Sequence, residues 1–197
     1  MKEIIIATKN AGKAKEFEHI FKPYNVRVKS LLDFEEMDDI VEDGKTFEAN
    51  ALIKARAIAN QFNQMVLADD SGLEVDALDG RPGVYSARYA GEGRNDEDNI
   101  LKVLHELEGV PTDERGARFV CALAIVTPQG DEVVVRGTCE GRILTECLGT
   151  EGFGYDPIFY LPHLSKTMAQ LPKSEKNVLS HRADAFVKLQ PYLEKLL

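Results

Sequence analysis

The stretch Met65-Val66-Leu67-Ala68-Asp69-Asp70-Ser71-Gly72 constrains this chain most. Its first half is a short apolar run, which reads as a buried strand. Two adjacent carboxylates follow at once, and aspartate is a poor strand former, so a turn is expected at the end of the run. Neighbouring carboxylates repel, so something must compensate them. An Asx-turn closed by Gly72 is one solution. A bound cation is the other: hard oxygen ligands suit Mg²⁺, which takes one or two carboxylates and leaves its other positions to water and phosphate.

The rest of the chain alternates in the same way. Ile4-Ile5-Ile6-Ala7 is a β-branched run that reads as a central strand, and Thr8-Lys9-Asn10-Ala11-Gly12-Lys13 follows it. A helical pattern then places Ala14, Phe17, Ile20 and Phe21 on one face. Strand, glycine-bearing polar loop and helix start together aim backbone N–H groups at an anion. The loop is not a P-loop, because Ala7 stands where the first glycine would be and Ala14 follows Lys13. A second strand is expected within Val26–Leu32. The acidic stretch Asp33–Asp43, with Glu35, Glu36, Asp38, Asp39 and Glu42, reads as a mostly solvated loop. Within it Glu42 stands out because Gly44 and a helix start follow it. Thr46 can cap a helix running to about Asn60, with Phe47, Ala51, Ala55, Ile58 and Phe62 on one face. Asn50 and Lys54, four apart, stack on the border of that face. A lysine there either snorkels to water or faces a site.

Leu73–Leu78 alternates as a half-exposed strand should, and Asp79-Gly80-Arg81-Pro82-Gly83 is a turn cluster. Asp96–Leu107 reads as a helix with Ile100, Val103, Leu104 and Leu107 on one side. Arg118–Val126 is a long strand. Pro128-Gln129-Gly130-Asp131 turns it, and Glu132–Gly137 returns as the second arm of a hairpin. That antiparallel pair argues against a purely parallel sheet, so a mixed α/β sheet is expected. Gly149–Pro157 holds three glycines, two aromatics and Asp156-Pro157. Either its aromatics tuck into the core, or one of them offers a flat face to a base. A last helix, capped by Ser180, is expected to bury Val178, Ala185, Phe186 and Leu189, with Arg182 in the middle of that face and His181 at its edge. A guanidinium placed so needs an anionic or acceptor partner, either a ligand or a structural carboxylate.

Composition removes several classes of function. A formal net charge of −9 argues against a non-specific nucleic-acid binder, but not against a small phosphorylated ligand that needs only a few focused cations. No apolar run approaches the roughly 18 residues of a membrane span, and the first residues show no signal peptide. Three cysteines, Cys121, Cys139 and Cys147, point to a reducing cytoplasm, and the four histidines are scattered away from any zinc spacing. One domain over residues 1–197 is expected.

Taken together and in order, these motifs resemble the inosine triphosphate pyrophosphatase family, in its bacterial dITP/XTP pyrophosphatase branch. The resemblance is carried by Ala7–Lys13, Thr46-Phe47 with Asn50-Ala51 and Lys54-Ala55, and Ala68–Leu73. It continues through Gly83–Tyr89, Gly152–Pro157 and Ser180-His181-Arg182. Lys9 departs from it, standing where many members have glycine.

The resemblance implies an elongated, twisted mixed β-sheet flanked by helices, with two lobes and an active-site cleft between them, and a homodimer. It also implies Mg²⁺-dependent hydrolysis of ITP, dITP and XTP to the monophosphate and pyrophosphate, which cleans the nucleotide pool. Asp70 would be the catalytic proton acceptor, and Glu42 with Asp70 the metal ligands. An aspartate of ordinary pKa, near 4, is a weak base, so the expectation is that acidified metal-bound water does much of that work. Thr8, Lys9, Asn10, Ala11, Gly12 and Lys13 would hold the phosphates, and Lys54 and Lys176 would meet the substrate. Ser71, Phe153, Gly154, Tyr155, Asp156, His181 and Arg182 would face the nucleoside, with Phe153 as the stacking ring. Inosine and xanthine carry an acceptor at C6 where adenine carries a donor, so donors from Arg182, His181 or backbone N–H groups would select them. Two other readings share some of these features: a pyrophosphatase of different base preference, and a nucleotide-binding regulatory module without turnover.

Overall fold

The computed structural model describes residues 2–34 and 39–197. Glu35, Glu36 and Asp38 of the acidic stretch lie outside the described residues. The elements in chain order are β1 (Glu3–Ile6), α1 (Ala11–Phe21), β2 (Arg27–Ser30), α2 (Phe47–Phe62), β3 (Met65–Val75), α3 (Asp96–Glu106), β4 (Gly116–Val126), β5 (Glu132–Ile143), β6 (Phe159–Leu161), β7 (Lys166–Thr167), α4 (Lys173–Leu179) and α5 (His181–Leu196). The seven strands form one sheet in the order β2-β1-β3-β4-β5-β6-β7. β1 pairs parallel with β2 and β3, while β6 pairs antiparallel with β5 and β7, so the sheet is mixed as expected.

The chain divides into two compact units, neither continuous in sequence. The first holds residues up to Asp70, Ala122–Arg136 and Phe186–Leu197. Its core is β1 (Ile4, Ile5, Ile6), the inner face of α1 (Ala14, Phe17, Phe21) and the inner face of α2 (Ala51, Ala55, Ile58). Most wheel positions read from sequence bury, because residues three and four apart share a helix face; Ile20 and Phe62, at the ends of those faces, are only half-buried. α2 is capped as the sequence suggests, Thr46 Oγ1 accepting from the Ala49 amide, and α1 is capped by Asn10, whose Oδ1 accepts from the Gly12 and Lys13 amides. The second unit holds Ser71–Cys121 and Gly137–Ala185. It closes around Leu73, Val75, Val103, Leu107, Ile143 and Phe159.

Four expectations are corrected. No turn follows Ala68: β3 runs unbroken from Met65 to Val75 through both aspartates. Each carboxylate has a partner within reach, so the strand has no need to end where its apolar run ends. The strand expected over Leu73–Leu78 stops at Val75, and Asp76–Leu78 is a 3₁₀ turn. β5 does not stop at Gly137 but continues to Ile143. Gly137 marks a close approach rather than a strand end, since a Cβ there would lie 2.1 Å from the Ala185 amide nitrogen. Finally, Val178 does not share the buried face of the last helix. It belongs to α4, on the other side of the Ser180 cap, and is 81% exposed. The buried face of α5 is Arg182, Ala185, Leu189 and Leu193.

Candidate active site

In the first unit the chemistry gathers around the two aspartates of β3. Asp69 is buried, and its carboxylate accepts from Lys13 Nζ at 2.6 Å, an ion pair that joins the first turn of α1 to β3. Lys54, projecting from α2, donates to the Asp69 carbonyl at 3.0 Å and pairs with Glu42 at 3.0 Å. Lys54 therefore does not snorkel; a backbone acceptor and a carboxylate hold its ammonium.

Asp70 follows on the opposite face of the strand. Burial pushes its carboxyl up to about 6, helped by the charges of Glu42 and Asp69 and opposed by a hydrogen bond from Asn50 and by the Lys54 charge. The expectation of an ordinary Asp70 pKa is thus overturned: desolvation in the strand outweighs the groups that favour its ionised form. A carboxylate poised near 6 is a competent base at neutral pH.

Asn50 was not singled out from the sequence as a site residue, yet it is buried and bifunctional. Its Oδ1 accepts from the Gly44 amide at 2.8 Å, and its side chain hydrogen-bonds Asp70. It thereby links the turn after Glu42 to Asp70. The signal was present in the sequence: an amide on the border of an apolar helix face, one turn before Lys54 and six residues after a glycine.

The loop before α1 is self-satisfied. Thr8 Oγ1 accepts from the Asn10 amide at 3.1 Å, and the Gly12 and Lys13 amides are capped by Asn10. Lys9 pairs with Asp39 at 2.8 Å on the surface. Ala11 opens the helix.

The donor set suits a hard divalent cation. Glu42 and Asp70 are hard oxygen donors from two segments, near enough for the Glu42 charge to raise the Asp70 carboxyl. Among the described residues no group of three or more His, Cys, Asp or Glu side chains could hold a metal.

In the second unit the loop after β5 separates its two aromatics. Phe153 is 68% exposed, while Tyr155 is buried and donates its hydroxyl to the Ser86 carbonyl at 2.6 Å. Tyr155 is thus the ring that tucks into the core, while Phe153 is left exposed. Asp156 pairs with Lys176 of α4 at 2.9 Å, and Lys176 also donates to the Glu151 carbonyl at 3.3 Å. Burial holds the Asp156 carboxyl above its ordinary value, against the pull of the Lys176 ammonium. Gly154 donates its amide to Asp96 at 2.7 Å. Ser71 continues β3 and is half-buried. His181, the first residue of α5, stacks on Phe119 with ring centroids 5.2 Å apart, and Arg182 beside it is buried.

These arrangements have relatives. Residues 4–192 match the Ham1 family model. This chain belongs to the Ham1 family. The resemblance carried by the motifs is thereby borne out over nearly the whole chain. A relative from Halalkalibacterium halodurans named dITP/XTP pyrophosphatase is 57% identical over 194 residues, covering 98% of this chain and 100% of that protein. A second from Geobacillus kaustophilus, with the same name, is 55% identical and covers 100% of this chain and 97% of the relative. Among solved structures, the Staphylococcus aureus Ham1 protein superposes with a TM-score of 0.92 at 47% identity, with both chains covered completely. A nucleoside-triphosphatase / dITP/XTP pyrophosphatase from Mycobacterium abscessus gives 0.83 at 43% identity, covering 96% of this chain and 99% of that one.

Proposed function

We propose that this chain hydrolyses the deaminated purine nucleoside triphosphates ITP, dITP and XTP to the nucleoside monophosphate and pyrophosphate. It thereby removes them from the nucleotide pool before they enter DNA or RNA. The observation that carries this reading is the grouping of charges at the end of the β3 apolar run: Asp70, Lys54 paired with Glu42 at 3.0 Å, and Lys13 paired with Asp69 at 2.6 Å, with burial raising the Asp70 carboxyl. That combination offers a base together with cations able to compensate several phosphate charges. The names of the relatives supply the substrate class.

Glu42 and Asp70 would hold Mg²⁺, which when bound neutralises phosphate charge and polarises phosphorus. The remaining roles fall to the chain's own residues. Asp70 accepts the proton of the attacking water. Lys13 and Lys54 take up charge on the triphosphate, with Lys9 as an outer cation. Thr8, Asn10, Ala11 and Gly12 supply hydroxyl, carboxamide and amide groups to the phosphate tail, the Gly12 amide exchanging the Asn10 oxygen for a phosphate oxygen. For Lys13 this means exchanging a carboxylate for a phosphate oxygen, a like-for-like swap of charge-assisted partners. Phe153, exposed as a stacking ring must be, meets the base. Ser71, the Gly154 amide, Tyr155, Asp156, Lys176, His181 and Arg182 form the polar surroundings of the nucleoside. The whole chain acts as one catalytic domain, in the cytoplasm and as a homodimer.

The test is pyrophosphate release from ITP, XTP, GTP, ATP and dTTP, each with Mg²⁺ and with EDTA. Turnover of ITP and XTP well above the other three, abolished by EDTA, is expected. Equal turnover of all five would discard base selection, and no turnover of any would discard the activity.

A further inference from the structure

Phe153 poses a problem that its own packing does not solve. A ring 68% exposed has little around it to fix its orientation, so its position must come from its backbone. That backbone includes glycines in the left-handed region, with φ of 91° at Gly152 and 59° at Gly154, where the chain is least stiff. Within the loop the Phe153 amide has only a long bond to Asp156 Oδ2, at 3.4 Å, and shorter ties reach outside it.

The two residues after Phe153 are both tied to the neighbourhood of one helix, α3. The Gly154 amide donates to Asp96 Oδ2 at 2.7 Å. The Tyr155 hydroxyl donates to the Ser86 carbonyl at 2.6 Å. Ser86 is held in turn by Asn99, three residues along α3 from Asp96 and on the same helix face. The buried Asn99 carboxamide donates to the Ser86 and Ala87 carbonyls at 3.4 and 3.1 Å and accepts from the Ala90 amide at 2.7 Å. The Ser86 hydroxyl accepts from the Leu73 amide at 2.8 Å and donates to the Gly83 carbonyl at 2.6 Å. The 3₁₀ turn Gly83–Arg88 is thereby fastened to β3 just beyond Ser71.

We propose that Asp96 is a positioning residue for base binding: through the Gly154 amide it sets the backbone from which Phe153 is presented, with Ser86 and Asn99 anchoring the next residue. This rests on the reading of Phe153 as the ring that meets the base. Asp96 is not needed to start its helix. Asn95 caps α3 by accepting from the Asp98 amide at 3.0 Å, and Glu97 and Asp98 remain as acidic residues in the first turn. Its contact with Gly154 is therefore separable from the stability of the helix.

The experiment compares Asp96→Ala, which removes the acceptor, with Asp96→Asn, whose carboxamide oxygen can still accept from Gly154. Steady-state kinetics with ITP and hydrogen–deuterium exchange of the ligand-free protein are both measured. In Asp96→Ala, KM for ITP is expected to rise about five- to tenfold with kcat within about twofold, the pattern of a lost binding interaction. Amides of residues 149–157 exchange faster in that variant, while those of α3 do not. Asp96→Asn stays close to wild type in both measurements. An unchanged KM in Asp96→Ala overturns the proposal. So does an Asp96→Asn variant as impaired as Asp96→Ala, because charge at the helix start would then be the cause. A fall in kcat at constant KM, the mark of a lost folded fraction, also overturns it. If wild type fails to release pyrophosphate from ITP, the activity reading falls and takes the base-binding role with it. Exchange then judges the tether alone, and equal loop exchange in wild type and Asp96→Ala removes that too.

Discussion

Asn50 and Asp70 share a hydrogen bond that opposes the burial of the Asp70 carboxyl, while the other end of the same carboxamide holds the Gly44 amide at 2.8 Å. One side chain therefore both favours the ionised base and fixes the turn two residues beyond Glu42. Replacing Asn50 by Ala removes both effects at once. Groups that orient a metal-binding or catalytic carboxylate are typically worth about 10–100-fold in activity. Asn50→Ala is expected to lose that much kcat/KM for ITP, and its activity should need a higher Mg²⁺ concentration for half-saturation. A magnesium titration of pyrophosphate release measures both. Unchanged magnesium dependence would detach Asn50 from the metal-binding carboxylates.

Asp70 itself sets activity against stability. Its folded carboxyl titrates at about 6, above the ordinary value of 3.8. A raised pKa means that the folded state prefers the protonated form. The associated stability is fully present below pH 3.8 and is lost as pH rises through 6. At pH 8 the ionised carboxylate thus costs the metal-free protein about 3 kcal/mol, taking about 1.4 kcal/mol for each pH unit that separates the folded and unfolded titrations. Asp70→Asn, which cannot ionise, should abolish turnover by several orders of magnitude. It should also raise the melting temperature in EDTA at pH 8 by several degrees, since about 2–4 °C accompany each kcal/mol in a chain of this size. The gain should shrink towards zero as the pH approaches 4. Melting curves of both proteins across that range would show it, and a variant less stable than wild type at pH 8 would contradict the account of Asp70 burial.

Lys13 compensates a buried charge. With Asp69 at 3% exposure and its carboxylate 2.6 Å from the Lys13 ammonium, removing the lysine takes a close cation away from a buried charge. Lys13→Met is expected to cost about 1–3 kcal/mol of stability, the range for a buried polar group deprived of its partner. Adding Asp69→Asn to Lys13→Met removes the stranded charge and should recover most of that loss in chemical denaturation. It should not recover KM for ITP, because the cation for phosphate is still missing. If the double variant regains affinity as well as stability, Lys13 serves only to neutralise Asp69.

Much of this was legible in the sequence, and the failures have a common cause. Helix faces such as Phe17 and Phe21 or Ala51, Ala55 and Ile58 follow from periodicity, and the caps Thr46 and Ser180 from side-chain chemistry, because both depend on residues close in the chain. The turn expected at Asp69-Asp70 did not form, because partners distant in sequence, Lys13 and Asn50, make a strand through two carboxylates tolerable. The raised Asp70 carboxyl is illegible in the local motif for the same reason: burial is a property of the packed sheet. Gly137 looked like the end of a strand because a missing Cβ reads alike in a turn and under a helix. Asp96 and Ser86, whose partners lie 58 and 69 residues away, could not be paired with the Phe153 loop from one sequence.

Gly152 offers the cleanest test of the loop itself. Its φ of 91° disfavours any side chain, and a Cβ there would sit 2.0 Å from Asp156 Oδ2 and 2.4 Å from Lys176 Nζ. Real Cβ atoms do not approach so closely, so Gly152→Ala must push the Asp156–Lys176 pair aside or bend the loop. The lysine end is flexible and can yield; the aspartate, which also accepts from the Phe153 amide at 3.4 Å, is less free to do so. The disturbance is therefore expected in the loop backbone beside Phe153. KM for ITP should rise about tenfold or more, since uniform binding is lost without touching Asp70. The melting temperature should fall by only a few degrees, because Gly152 itself is exposed and outside the core cluster, to which the loop contributes Tyr155. Steady-state kinetics with ITP and thermal melts decide the matter together. A wild-type KM in this variant would show that the positions of Asp156 and Phe153 do not matter to the substrate.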